Sequence, residues 1–259
     1  MSYQFLTVEH RENTAVVCFD RGSGRNALSQ AIMLELTAVA QSFYDDRETK
    51  TVILTGTDKV FSAGVDLKDP ARWEIDPEDI EGIRLASLRG AKMCKAWEEI
   101  PQITIAAIEG VIVGGGIALT LVCDWRVISE KSVLKLPEAQ IGIPLSWQTV
   151  PRLVNIVGAS RAKQLILLGE DMTATDALAL GIMDFGAPEG QTLTTARALA
   201  EKVNRNSRLV NVLTKSSINN YANALNHLAT AMDVDQAVLA GLSGEARQAR
   251  RAFATPRSA

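Results

Sequence analysis

A break in an apolar stretch exposes main-chain groups that can stabilise negative charge. Residues 108–113 are largely β-branched and apolar, Gly114, Gly115 and Gly116 follow, and the chain resumes as an apolar helix. Glycines let another molecule approach the backbone closely, and the first N–H groups of a helix have no partner inside it. Such a helix start attracts anions. The same glycines also fit a plain strand-to-helix turn, so other stretches must decide between the two interpretations.

A second stretch of small residues follows a predicted buried strand at 51–55. Here Ala63 and Gly64 bend the chain just before Val65 and Asp66. This bend leaves the N–H of Val65 free to point inward. The stretch therefore offers a second main-chain donor.

A carboxyl group follows another predicted strand, at 133–136. Pro137 and Glu138 end this strand, and apolar residues such as Ile141 and Ile143 lie close in sequence. Apolar surroundings raise the pKa of a carboxyl group towards neutrality, which suits a group that both takes up and returns a proton. The alternative interpretation of the same residue is a surface Glu or a structurally bonded Glu that follows a strand.

The elements that position these residues alternate along the first half of the chain. Strands are predicted at 5–10, 15–20, 51–55, 103–108, 124–129 and 133–136. Helices are predicted at 30–44 and 80–100, then at 149–157, 160–168, 174–180, 192–204, 208–225 and 226–252. Strand-strand-helix units recur through residue 145. The pattern predicts an α/β fold with a helical C-terminal region, divided into a core at 1–190 and helices at 191–259.

Composition excludes several classes of protein. The 259 residues are 47% hydrophobic with a net charge of −3, so the chain has ample core and no general attraction for nucleic acid or anionic membranes. The cysteines, Cys18, Cys94 and Cys123, form no CxxC pair, which indicates neither a disulfide framework nor a metal site. No run is long enough to span a bilayer, and the N-terminus lacks a signal-peptide pattern. We expect a soluble protein of the reducing cytoplasm.

The order and spacing of the AGxD stretch, the GGG turn and the Pro-Glu pair resemble those of the enoyl-CoA hydratase/isomerase, or crotonase, family. The likeness extends over roughly residues 15–185. It implies a spiral of strand-strand-helix units followed by a helical region through which relatives form trimers or pairs of trimers. It also implies an acyl-CoA thioester as the substrate, with no cofactor beyond the coenzyme A that the substrate carries.

The resemblance assigns roles residue by residue. The N–H groups of Val65 and Gly115 would hold the thioester oxygen, and Glu138 would be the catalytic acid and base. Further residues implied to contact the substrate are Arg25, Ala27, Ala63, Asp66, Leu67, Gly114, Ser146 and Trp147. C-terminal residues of relatives approach the coenzyme A of another subunit, and Arg250 and Phe253 are candidates for that contact.

Two departures from the family pattern bear on the reaction. Hydratases carry a glutamate two residues beyond the GGG, where this chain has Ala118. A single carboxylate is enough to remove a proton from one carbon and return it to another, so Glu138 alone best fits double-bond isomerisation. The glycine-rich turn of relatives is also replaced, by Leu145, Ser146, Trp147 and Gln148.

Alternative functions remain open at this point. A water held by Ser146 and Glu138 would allow hydration, and loss of half the hydratase machinery would leave a non-catalytic acyl-CoA-binding protein. Residues 22–27 also match a GxGxxA dinucleotide fingerprint, although the predicted helix begins too late and the next strand lacks a terminal acidic residue.

Overall fold

The computed structural model describes residues 3–22 and 24–254. In chain order the strands are β1 (Leu6–Arg11), β2 (Thr14–Phe19), β3 (Thr51–Thr55), β4 (Val60–Ser62), β5 (Ile103–Ile108), β6 (Val111–Val113), β7 (Trp125–Ser129), β8 (Val133–Lys135), β9 (Met172–Thr173) and β10 (Phe185–Ala187). The helices are α1 (Gln30–Ser42), α2 (Pro70–Trp73), α3 (Ile80–Glu98), α4 (Gly115–Leu121), α5 (Thr149–Leu168), α6 (Ala174–Ala179), α7 (Thr192–Asn204), α8 (Arg208–Ala222), α9 (Asn226–Thr230), α10 (Asp233–Gly241) and α11 (Gly244–Ala254).

These strands form two sheets. One sheet has the order β1-β2-β3-β5-β7-β10 and is parallel except for the β1-β2 hairpin. The other has the order β4-β6-β8-β9 and is parallel except for β9. Each of the pairs β1-β2, β3-β4 and β5-β6 is followed by helix, so the predicted strand-strand-helix repeat is present. The carboxyl ends of β4, β6 and β8 lie at one edge and carry the three stretches singled out above.

The main core lies between the sheets and the helices α1 and α3. Its largest buried side chains include Phe19, Phe61 and Trp97, whose indole N–H donates to the Leu36 carbonyl on α1. A smaller core forms between the six-stranded sheet and α7. The buried Glu109 carboxylate accepts the first amide of α7, from Thr192, and so fixes that helix to the sheet.

Local sequence signals account for the ends of the helices. Ser29 caps α1 by accepting the Ile32 amide, and Asp79 caps α3 by accepting the Gly82 amide. The strands at 51–55 and 103–108 and the helix at 192–204 agree with their predicted bounds. The division between a core at 1–190 and a helical region at 191–259 stays a prediction. Residues 255–259 of the predicted C-terminal region lie outside the described residues.

Two predictions about elements are wrong. The segment predicted as one helix at 226–252 is three helices, because Ser243 starts a new cap by accepting the Ala246 amide and Arg250 covers the Gly241 carbonyl at the preceding helix end. The segment from Gly56 to Asp79, for which neither a strand nor a helix is predicted, contains β4 and α2. Asp69 begins α2, since its carboxylate accepts the Ala71 amide.

In the part of the chain that the structure describes, none of the helices combines the length and apolar character needed to cross a membrane.

Candidate active site

The glycine turn brings β6 into α4 with a sharp change of direction. Gly114 has a φ of +48°, which L side chains rarely adopt, and its amide donates to the Lys135 carbonyl on β8. Helix α4 then begins at Gly115, which is buried. The Gly115 N–H belongs to the first turn, where amides have no intrahelical acceptor. It is therefore available to an atom outside the helix.

The AGVD stretch is held by pairing with the segment that precedes α1. The Leu28 amide donates to the Gly64 carbonyl at 2.7 Å, and the Leu28 carbonyl accepts the Asp66 amide at 3.0 Å. In this parallel bridge Leu28 bonds to the residues on either side of Val65. The Val65 N–H consequently points away from Leu28, and no described residue accepts a hydrogen bond from it.

The two donor-bearing loops lie against each other. A Cβ added to Gly64 would lie 3.5 Å from the Gly115 nitrogen and 2.8 Å from the Val113 carbonyl oxygen. A Cβ added to Gly115 would lie 3.3 Å from the Val65 side chain. The glycines thus allow the backbones of the two loops to approach to a distance that no other residue type permits at these positions.

The Glu138 carboxyl group lies on the same glycine turn. A Cβ on Gly114 would overlap Oε1 of Glu138, and Pro137 packs on the same side. Glu138 is 8% exposed, and its Oε2 accepts no hydrogen bond from any described residue. Burial raises the pKa of this carboxyl group to about 7, with only a hydrogen bond to its own backbone acting in the opposite direction.

Trp147 closes the site on the side of α3. Its indole lies over Gly115, where a Cβ would come within 2.6 Å of the ring, and it also lies against Gly90 of α3. Trp147 and Gln148 both have a φ of +60°, an unfavourable conformation for a bulky residue. The turn is held by the Gln148 amide, which donates to Asp233, and by the Gln148 carbonyl, which accepts from Arg152.

The remaining residues expected to contact substrate are distributed around these loops. Arg25 is exposed, and its carbonyl accepts the Ala63 amide, while Ala27 is buried. Ala63 and Leu67 are half-buried on the AGVD stretch. The Asp66 carboxylate pairs with Arg21 and accepts the Lys68 amide, so its oxygens already have protein partners.

A cavity of about 220 Å³ opens beside Trp147. Ser146 lines it together with residues that the sequence analysis did not connect to the site, among them Arg72, Trp73 and Val238. Arg250, predicted to reach another subunit, here contacts Trp73 of its own chain, and the cross-subunit contact stays a prediction. No spacing pattern in the sequence links α2 to α11, so sequence reasoning could not have found this contact.

The described residues give little evidence for a metal site or for a dinucleotide-binding site. Among them, no group of three or more His, Cys, Asp or Glu side chains lies close enough together to hold a metal ion. Residue 23 of the GxGxxA segment lies outside the described part of the chain. Asn26 within the segment is buried and donates to the Phe19 and Phe61 carbonyls, and α1 begins only at Gln30, well after the glycines.

Comparison with known proteins agrees with this arrangement. The sequence profile of the enoyl-CoA hydratase/isomerase family matches residues 9–258. The short-chain-enoyl-CoA hydratase of Clostridium acetobutylicum is 30% identical over 85% of this chain and 82% of its own length. A mitochondrial enoyl-CoA hydratase of Pongo abelii is 29% identical over 84% of this chain and 74% of its own length.

Solved structures agree in the fold. A Bacillus anthracis enoyl-CoA hydratase superposes with a TM-score of 0.79 at 30% identity, covering 96% of each chain. An enoyl-CoA hydratase from Bacillus halodurans, at 20% identity, has the same fold with a TM-score of 0.89 over 96% of this chain and all of that one. Hence the predicted crotonase-type α/β fold is confirmed, and the chain belongs to the enoyl-CoA hydratase/isomerase family of enzymes.

Proposed function

We propose that this enzyme moves the double bond of an enoyl-CoA thioester between the 3 and 2 positions, with Glu138 as the only carboxylate that transfers protons. One observation carries the proposal. The Glu138 carboxyl group is buried on the Gly114 turn with one unpartnered oxygen and a pKa raised to about 7, whereas the second carboxylate position of hydratases holds the buried Ala118. A group that titrates near neutrality can both accept and donate a proton.

The proposed reaction needs one base and one oxyanion site. The thioester oxygen accepts hydrogen bonds from the Val65 and Gly115 N–H groups. Glu138 removes a proton from C2 of a 3-enoyl-CoA, and the electron pair of that C–H bond delocalises onto the thioester oxygen as a dienolate. The protonated Glu138 then returns the proton to C4, and the double bond forms between C2 and C3. Loss of one oxyanion donor typically costs about 2.7–4 kcal/mol in the transition state.

The other residues assigned to the substrate have positioning roles in this proposal. Ala27, Ala63 and Leu67 border the coenzyme A, with Arg25 near its phosphates, and Asp66 holds the AGVD stretch in place through Arg21. Gly114 admits the Glu138 carboxyl group, and Ser146 and Trp147 border the acyl chain. The reaction requires no cofactor. The three free cysteines favour a reducing cytoplasmic location.

The test is the interconversion of 3-hexenoyl-CoA and 2-hexenoyl-CoA by the wild type and by Glu138→Gln. We expect wild-type turnover and a loss of about 10²–10⁴-fold in kcat for the variant, the usual contribution of a general base. Binding of hexanoyl-CoA, measured by calorimetry, should survive the substitution. Equal turnover with and without the carboxylate would contradict the assigned role, and binding without turnover in the wild type would indicate an acyl-CoA-binding protein.

Hydration is the second candidate, favoured by the hydratase names of several relatives. Ser146 is half-buried beside Trp147, and no described residue accepts a hydrogen bond from its amide, so this amide and Glu138 could hold a water together. Loss of the conjugated thioester absorbance of 2-hexenoyl-CoA, with formation of the 3-hydroxyacyl product, would favour hydration over isomerisation. Retained absorbance, with exchange of deuterium from solvent into C2 and C4, would favour isomerisation.

A further inference from the structure

Two guanidinium groups contact the same indole ring at the edge of the site. The Arg72 guanidinium carbon lies 5.0 Å from the centroid of Trp73, and that of Arg250 lies 5.3 Å from it. Cations at these distances are attracted by the electron density of the ring. The contact brings together α2 and α11, which are far apart in sequence.

This cluster contacts the AGVD stretch, which carries the Val65 N–H, and it also lies near the turn that follows Glu138. The Trp73 indole N–H donates to the Asp66 carbonyl at 2.9 Å, one residue beyond Val65. On the other side, a Cβ added to Gly241 would lie 3.7 Å from both Nη1 of Arg250 and the Ile143 side chain. The two arginines therefore lie near the AGVD stretch and near the turn that contains Ile143.

The positive charge of the cluster is not balanced by the protein. No carboxylate of a described residue forms a salt bridge with Arg72, Arg247 or Arg250, although all three line the same cavity. The nearby Asp69 carboxylate is engaged by the Gln30 and Ala71 amides.

Buried guanidinium nitrogens in this cluster also lack acceptors. Nε of Arg72 and Nη1 of Arg250 are buried with no hydrogen-bond partner among the described residues. Burial lowers the pKa of Arg72 to about 10, while the Asp69 carboxylate opposes this shift and the Arg250 charge adds to it. Arg72 therefore remains protonated at neutral pH. Both side chains are half-buried, and each donates one hydrogen bond to a backbone carbonyl, Arg72 to Ala86 and Arg250 to Gly241. The buried nitrogen that remains without an acceptor on each group would gain a partner from a bound anion.

The cavity beside the arginines has the size and lining of an acyl pocket. Its volume is about 220 Å³. Apolar walls come from Ile83, Ile143, Val234 and Trp147, with the arginines on one side. Apolar walls of this kind suit an acyl chain.

We infer that the Arg72–Arg250 pair binds a carboxylate at the far end of a short acyl chain, so that the preferred substrate is a coenzyme A thioester of a dicarboxylic acid. The inference rests on the proposed function for the direction in which the acyl chain runs. With the thioester oxygen at Val65 and Gly115, the chain passes Trp147 and enters the cavity. A carboxylate there would find two guanidinium groups, each of which can donate paired hydrogen bonds to it.

The first test measures binding and needs no turnover. Calorimetry with adipyl-CoA and hexanoyl-CoA compares two saturated six-carbon chains that differ only in a terminal carboxylate or methyl group. We expect adipyl-CoA to bind about tenfold more tightly or better, as charge-assisted hydrogen bonds to half-buried arginines imply. Equal affinity, or tighter binding of hexanoyl-CoA, would overturn the inference.

Variants show whether the anion that the two arginines bind is the acyl carboxylate or a phosphate of coenzyme A. In Arg72→Met and Arg250→Met, the ratio of the two affinities should fall towards one. Arg161→Met, on the exposed face of α5, is the matched control and should keep the wild-type ratio. If the arginines instead bind the phosphates, both ligands weaken by the same factor and the ratio is unchanged, which would overturn the inference. Using two separate variants protects the test against one that fails to fold.

Turnover distinguishes the failure of this inference from the failure of the proposed function. A preference for adipyl-CoA without conversion of either 3-hexenedioyl-CoA or 3-hexenoyl-CoA supports the carboxylate pocket and contradicts the isomerase. Conversion of both thioesters without any such preference supports the isomerase and contradicts the pocket.

Discussion

The Glu138 carboxyl group is buried, and a hydrogen bond from its own backbone only partly stabilises its charge. It lies against Gly114, on the side where Pro137 also packs. Desolvation therefore dominates its pKa, which rises from 4.5 to about 7. The carboxylate form, which the proposed proton abstraction requires, predominates only above that pH.

The pH dependence of the reaction follows from this shift. Because the protonated group cannot accept a proton, kcat/KM for 3-hexenoyl-CoA should rise with pH and level off above about 7. Below that value it should fall about tenfold for each pH unit. Initial rates at low substrate concentration between pH 5 and pH 9 measure this profile. An inflection at the ordinary pH range of a glutamate would show that the carboxyl group is solvated in the free enzyme.

At the scale of single residues, the sequence indicated the glycine turn, the AGVD stretch and Glu138 as neighbours, and the structure places them side by side. Their motifs are local, since each depends on a few consecutive residues. The contact of Arg72 and Arg250 with Trp73 was not predictable in this way. It depends on where α11 lies against the rest of the chain, which no local pattern specifies.

Helices α3 and α4 approach each other around one side chain. The Trp147 indole fills the space between Gly90 of α3 and Gly115 of α4, and a Cβ at either glycine would overlap the ring. The positive φ at Trp147 is compatible with this tight fit, since packing on both faces holds the residue in an unfavourable conformation. The position of α3 thus fixes the wall of the proposed acyl pocket.

We predict that Gly90→Ala destabilises the fold and perturbs the site. Helix propensity alone would favour alanine by about 1 kcal/mol, but the added methyl group collides with the indole, and overpacking typically costs about 1–3 kcal/mol. Urea unfolding should therefore show a net loss of stability, accompanied by a lower kcat. Gly244→Ala, at the start of α11 with open space around it, is the control and should leave the midpoint unchanged or slightly raised. A stabilised Gly90→Ala would mean that the indole moves freely.

Periodicity predicted most elements because burial on one face repeats along them. The strand at 51–55 and the helix at 192–204 are found at their predicted bounds. Periodicity gave a wrong prediction in the segment at 226–252, where the apolar spacing continues although the helix is interrupted twice. Those breaks depend on the Asp233 contact with Gln148 and on the Ser243 cap, which are tertiary and local polar contacts invisible to hydrophobic spacing.

Across the whole molecule, the described apolar exposure concentrates on the C-terminal helices. Leu209, Val210, Leu213, Ile218 and Tyr221 on α8 are each more than half exposed. A cleft of about 560 Å³ runs beside the same helix. Exposed apolar patches on this scale mark interaction surfaces. We therefore propose that α8 carries the contact between subunits, as the family resemblance implies for a homotrimer or a pair of trimers.

We predict that the 28.0 kDa chain sediments as a particle of about 84 or 168 kDa, the mass of three or six copies. Leu213→Lys should shift the distribution towards monomers, because a buried, unpaired ammonium group in an apolar interface costs several kcal/mol. Leu34→Lys on α1 is the matched control, since Leu34 is 52% exposed and Leu213 is 58% exposed. Analytical ultracentrifugation at micromolar concentration measures all three proteins. If the wild type is monomeric, or if both variants dissociate equally, the exposed face of α8 does not hold the subunits together, and its apolar side chains need another partner.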